Sequence, residues 1–177
     1  MTSTTIHSRL QEVKFGLILS LLTILFGFGM GGVFGAMEDD IKGHLKAEGQ
    51  AALETVYKGD EAKMKATVSK SWSYFKRAHL HGGGIGAATL GVIIVLAFTY
   101  ASSIFKLVVS IALGAGGLGY SIFWMMAGLR APGMGSTGIA KESLSWLAIP
   151  SSGMLLLGLI TATIVVAISL FSSKEKA

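Results

Sequence analysis

The sequence predicts an all-α integral membrane protein: four transmembrane helices, with an extramembrane helical hairpin between the first and the second. Three observations carry this. Only 14% of the 177 residues are charged while 51% are hydrophobic, against about a quarter charged in an ordinary soluble domain, and the mean hydropathy is +0.63. The deficit is concentrated in four runs without Asp, Glu, Lys or Arg, at 15–37, 80–105, 107–129 and 143–173, each meeting the roughly 20 residues needed to cross about 30 Å of hydrocarbon. The only sizeable polar segment, 38–79, has helical periodicity.

Residues 1–14 are a short polar start. Arg9 and Lys14 ahead of an apolar run resemble the front of a signal peptide. That run is about 22 residues, too long for a signal core, and Phe34-Gly35-Ala36 lacks the small residue a cleavage site wants at −3. The segment 15–37 therefore reads as a retained first membrane anchor.

Within 38–79, Ile41, Leu45, Ala52 and Val56 share one helical face, and Met64, Val68, Trp72, Phe75 and His79 share another. Gly59-Asp60 lies between them, glycine suiting a helix end and aspartate the next N-cap. Two arms of about 20 residues, each roughly 30 Å long, are expected to continue the first two spans, bending at Gly29–Gly32 and at Gly82–Gly84.

Spans two and three cover 80–105 and 107–129, and Lys106 marks a tight turn between them. Residues 130–142, which include Ala-Pro-Gly-Met-Gly-Ser-Thr, read as a loop. Span four covers 143–173, with Pro150 near its start, where proline is tolerated or makes a kink, and with Trp146 as an interfacial anchor. Residues 174–177 are a basic tail.

Each span carries small residues at helical spacing: Gly16, Ser20, Thr23, Gly27 and Gly31; Gly84, Ala88, Gly91 and Ser102; Ser110, Gly114, Gly117, Ser121 and Gly128; Ser151, Gly158, Ala162 and Ser169. Small residues let helix backbones approach closely in lipid. Gly27-xxx-Gly31-xxx-Gly35 and Gly82-xxx-Gly86 are the strongest patterns. These faces serve packing within one bundle, or assembly into a homo-oligomer or a larger membrane complex.

Arg9 and Lys14 before the first span, with Glu38-Asp39-Asp40 after it, place both termini in the cytoplasm by the positive-inside rule, while Lys70, Lys76 and Arg77 argue the other way. The expected location is a bacterial inner membrane. The net charge of +5 suits anionic headgroups and carries no nucleic-acid signature.

The spans hold no acidic or basic residue, which argues against proton pumps, ion-coupled carriers and voltage sensors. They also hold no histidine deep enough to activate a serine, which argues against a membrane hydrolase. With no cysteine, thiolate metal sites, iron–sulfur clusters and covalent haem are excluded. The glycine run 114–119 is not a phosphate loop, because no Gly-Lys-Ser/Thr follows it.

The candidate site is 77–84, at the membrane edge. His79 lies on the apolar face with Trp72 and Phe75, and Gly82, Gly83 and Gly84 follow, an arrangement that would accommodate haem b with an axial imidazole. His81 lies about 200° away at 100° per residue, so the two share one metal ion only if the helix ends there. A second axial ligand would be His44 from the facing arm, a methionine (Met30, Met37, Met125 or Met126), or a histidine of another subunit. Copper is the alternative cofactor. Three functions follow: a non-enzymatic haem or metal subunit serving electron transfer, a structural or accessory subunit without cofactor, and an oligomeric pore lined by Ser, Thr and Gly.

Overall fold

The computed structural model describes residues 3–172, with the side chains of residues 6–172; the basic tail expected at 174–177 lies outside the described residues. The chain is all-α: α1 Ser3–Gln11, α2 Lys14–Ala51, α3 Glu61–Ala97, α4 Ser103–Met134, α5 Thr137–Glu142 and α6 Ser145–Phe171. Helices α2, α3, α4 and α6 are long and apolar enough to cross a membrane. At 1.5 Å per residue α2 and α3 are each about 55 Å long, well beyond the roughly 30 Å of a hydrocarbon core.

Helices α2 and α3 are antiparallel: contacts run from Ser20 with Thr89 at one end, through Gly27 with Gly82, to Gly49 with Met64 and Val68 at the other. Lys58 (φ 55°) and Gly59 (φ 78°) take left-handed conformations that reverse the chain between them. Asp60 then caps α3, its Oδ1 accepting from the Lys63 N–H at 2.9 Å. The glycine clusters do not bend either helix. Residues 29–32 and 82–84 are helical, with Gly31 against His79 and Gly82 against Gly27, and the break in α2 falls instead at Met37 (φ −136°, ψ 25°), where the apolar run gives way to Glu38-Asp39-Asp40.

The turn after α3 occupies residues 98–102, with Ser102 as the N-cap of α4. Lys106, expected to mark this turn, lies inside the first turn of α4 and is buried. The loop expected over 130–142 is mostly helical. Pro132 sits in the last turn of α4, where its missing N–H leaves the helix one hydrogen bond short, and Gly128 one turn earlier makes room for Phe75, since a Cβ there would lie 2.8 Å from Phe75 Cδ2. Gly135 (φ 69°) closes the helix in a left-handed cap. Ser136 then caps α5, accepting from the Gly138 and Ile139 N–H groups. Pro150 lies in the second turn of α6, which continues through it.

Helices α2, α3 and α4 pack against each other, whereas α6 leans mainly on α4. The interior has an aromatic cluster containing Met30, Leu45, Tyr74, Phe75, Phe123 and Trp124, and an aliphatic one containing Val13, Ile93, Leu96, Val109, Leu113 and Ala162. The C-terminal part of α4 runs alongside the α2–α3 pair, and the Tyr57 hydroxyl donates to the Pro132 carbonyl at 2.8 Å. The hairpin therefore has a third helix against it along its length.

The small residues expected on α2 and α4 face the interior. A Cβ on Gly82 would sit 2.6 Å from Gly27 Cα, one on Gly86 2.7 Å from Ile24, and one on Gly114 2.6 Å from Leu19 Cβ. Gly117 packs on Ile85 and Gly158 on Leu113. On α3 the outcome differs: Gly82, Gly86 and Thr89 are the buried small residues, while Gly84, Ala88 and Gly91 face outward. Gly35 and Gly91 have open space where a side chain would be. Buried hydroxyls are satisfied locally: Thr23 donates to Leu19 O and Ser121 to Gly117 O, while Ser20 and Thr89 bond across the α2–α3 seam at 3.0 Å.

Candidate functional site

His79 projects from α3 onto α2. Its Nδ1–H donates to the Gly27 carbonyl at 2.7 Å; because a carbonyl only accepts, the bond places a proton on Nδ1. Gly31 makes room for the ring, since a Cβ there would lie 2.8 Å from His79 Cε1. Phe34 meets the imidazole edge-on at 5.7 Å and Trp72 at 5.0 Å, and Trp72 stacks on Phe75 at 6.2 Å. His79, Trp72 and Phe75 thus share one face, as their spacing requires, and the residue joining them is Phe34, on the facing helix. Sequence reasoning missed Phe34; its only signal was an aromatic at the end of the first span.

His81 turns the other way, toward α4. Its ring lies 5.3 Å from Tyr120 and 6.3 Å from Trp124, and it is half-buried. Because α3 continues to Ala97, His79 and His81 stay on separate faces and are not brought to one ion. Arg77 spreads over Trp124 at 4.3 Å and Tyr74 at 5.6 Å, a cation–π arrangement. The Trp124 indole N–H is buried without a hydrogen-bond partner among the described residues.

The other expected ligands are not assembled. His44 is exposed, and the α2–α3 pairing places it roughly ten residues, or about 15 Å, from the level of His79. Gly82 offers no hollow, because the Gly27 backbone occupies that space; Gly83 and Gly84 have open space, Gly84 on the outer face. Among the described residues no group of three or more His, Asp or Glu side chains could hold a metal ion.

A second polar centre escaped sequence reasoning. Lys106 is 4% exposed. Its Nζ donates to Glu12 Oε2 at 2.9 Å and to the Ala97 carbonyl at 3.1 Å, while Ser103 Oγ donates to Glu12 Oε1 at 2.7 Å. Both carboxylate oxygens are thereby engaged. The Ser103 hydrogen bond first, and then Lys106, hold the Glu12 carboxyl below its ordinary 4.5. This tether fastens the α1–α2 elbow to the start of α4. The available signal was a lone lysine interrupting some 50 apolar residues, since a charge at such a place wants a partner.

Beside α3, at the level of the aliphatic cluster, a groove of about 410 Å³ separates it from α6. Gly91, Val92, Val95, Ala162, Thr163 and Val166 line it. Above it on α3 continue Ala87, Ala88 and Gly84, all exposed. No known protein family, curated protein or solved structure is similar enough to this chain to count as a match.

Proposed function

We propose that this protein is a non-enzymatic subunit of a membrane assembly, and that a transmembrane helix of a second copy or of a partner seats in the groove between α3 and α6. The observation that carries this reading is the outward face Gly84, Ala87, Ala88 and Gly91, small residues at helical spacing that no helix of this chain covers. In lipid, helices associate where small side chains let backbones close together. The Ser/Thr/Gly faces of α2 and α4 are used inside the bundle, which leaves a pore between subunits without its expected lining. In this reading residues 38–76 stand outside the bilayer, and the end holding Arg9, Lys14 and the 98–102 turn faces the cytoplasm.

The chain has no cysteine, so single cysteines report cleanly. Gly91→Cys and Ala88→Cys in native membranes should form a cross-linked species on mild oxidation or with a short bifunctional reagent, while Leu25→Cys on the outer face of α2 should not. A product at twice the monomer mass identifies a second copy, and any other mass a partner. Equal reaction of all three positions, or none, would overturn the reading.

One observation favours a second reading. The hydrogen bond from His79 Nδ1–H to the Gly27 carbonyl is the kind of outer contact that orients a metal-ligating imidazole through its other nitrogen. Haem b, or less readily copper, bound there with an outside second ligand would make the subunit an electron carrier. A Soret absorption in the purified protein that disappears in His79→Ala supports this reading, and a colourless, metal-free preparation sinks it.

A further inference from the structure

The two long helices leave a second, differently built groove near the far end of the hairpin. Its floor is Leu45, Met64, Val68 and Trp72, and its volume is about 360 Å³. Lysines 42, 46 and 65 stand on its rim, from both helices, and no carboxylate lines it. Lys42 pairs with Glu38 and Lys65 with Glu61, each one helical turn away, whereas Lys46 makes no ion pair among the described residues. Lys42 also lies 5.2 Å from the Trp72 ring centroid. An apolar floor rimmed by three lysines, of which Lys46 has no carboxylate partner among the described residues, calls for a ligand that is apolar along its length and anionic at one end.

Size decides between the ligands of that description. Leu45 and Met64 are already buried, and Val68 and Trp72 half-buried, so little floor is left for the side chains of a docking helix, which need on the order of 800 Å² per partner for a stable interface. The volume instead falls in the range of small-molecule sites, roughly 300–1,000 Å³. We propose that this groove binds a fatty carboxylate, with the acyl chain along Leu45 and Val68 toward Trp72 and the carboxylate at Lys46 between Lys42 and Lys65. The inference is independent of whether another helix seats between α3 and α6.

Trp72 supplies the readout, because bromine quenches indole fluorescence at near-contact distance. The full chain carrying Trp146→Phe, reconstituted in phosphatidylcholine vesicles, retains Trp72 and the buried Trp124. Stearate brominated at mid-chain should quench it saturably at low mole fraction, and Trp72→Phe should remove the response. The brominated methyl ester, which has no charge, should bind about tenfold more weakly, and so should the acid in a Lys42→Gln, Lys46→Gln, Lys65→Gln chain; these exposed positions leave the fold unaltered. Equal, unsaturable quenching by acid and ester would mean contact with bulk lipid only and would overturn the proposal. It would equally be overturned by saturable binding of an acidic amphipathic peptide together with no response to the fatty acid.

Discussion

The seam between α2 and α3 and the groove between α3 and α6 are lined by the same kinds of residue, yet one is closed to backbone contact and the other is open. At the seam, Gly27 meets Gly82 and Ile24 meets Gly86, with Ser20 and Thr89 bonded across it. At the groove, Gly91 and Ala162 line an unfilled space. Small residues permit close approach but do not cause it. The seam closes because connectivity and polar tethers bring the helices together: the turn at 52–60, the His79–Gly27 bond and the lock at Glu12 and Lys106. Helix α6 leans on α4, where Gly116 and Gly119 receive Leu155 and Ser151, and it meets the end of α3 only at its own C-terminal part, where the Tyr100 N–H donates to Ser169 Oγ at 3.4 Å.

This contrast can be broken, and the largest effect is expected at the lock. Glu12→Gln leaves the Lys106 ammonium buried with only the Ala97 carbonyl, and should cost about 3 kcal/mol in a detergent unfolding titration. Adding Lys106→Met should restore much of the loss. Acid does the same to the unaltered chain. The Glu12 carboxyl is depressed on folding, so its contribution is complete above 4.5 and is lost as pH falls through the folded-state value below that. Acid unfolding of the wild type, absent from the Glu12→Gln, Lys106→Met chain, checks the sign.

Next comes the direct test of seam against groove. Gly82→Ala places a methyl against the Gly27 backbone and should destabilise by about 1–3 kcal/mol. Ser20→Ala removes one interhelical bond and should cost about 0.6 kcal/mol. Gly91→Ala meets open space and should change monomer stability by less than about 0.5 kcal/mol while weakening the cross-link at Ala88→Cys. If Gly91→Ala destabilises the detergent-solubilised monomer as much as Gly82→Ala, the two regions are not different in kind.

The four spans were legible because absence of charge over 20 or more residues has one physical use. The inward faces of α2, α4 and α6 were legible in their longest small-residue stripes at helical period, although the Gly116–Gly119 face of α4 that receives α6 was not among them. Helix α3 carries two, Gly82-Gly86-Thr89 and Gly84-Ala88-Gly91, and periodicity alone cannot say which one the chain closes upon. The end of α4 was misread because Pro132 and Gly133 look like a loop, whereas the helix runs through both and ends at the left-handed Gly135. The common face of His79, Trp72 and Phe75 was visible in their spacing; its covering by Gly27, Gly31 and Phe34 depends on register between distant segments. The same holds for Lys106, whose partner Glu12 lies 94 residues away in sequence.

The two tethers on α4 also have a mechanical meaning. Lys106 is fastened at one end of the helix to Glu12, and the Pro132 carbonyl at the other to Tyr57. These points are 26 residues apart, roughly 39 Å along the axis, which exceeds the thickness of a hydrocarbon core. Helix α4 is thus a tie rod pinned at one end to the elbow before α2 and at the other to the turn that joins α2 and α3. Sliding of α4 past α2 and α3 would break a pin, so the three-helix unit is built to tilt or rotate as one body. A displacement at the hairpin tip is thereby carried along α4 to the Glu12–Lys106 end, whereas α6 joins this unit through its packing on α4 and the Tyr100–Ser169 hydrogen bond.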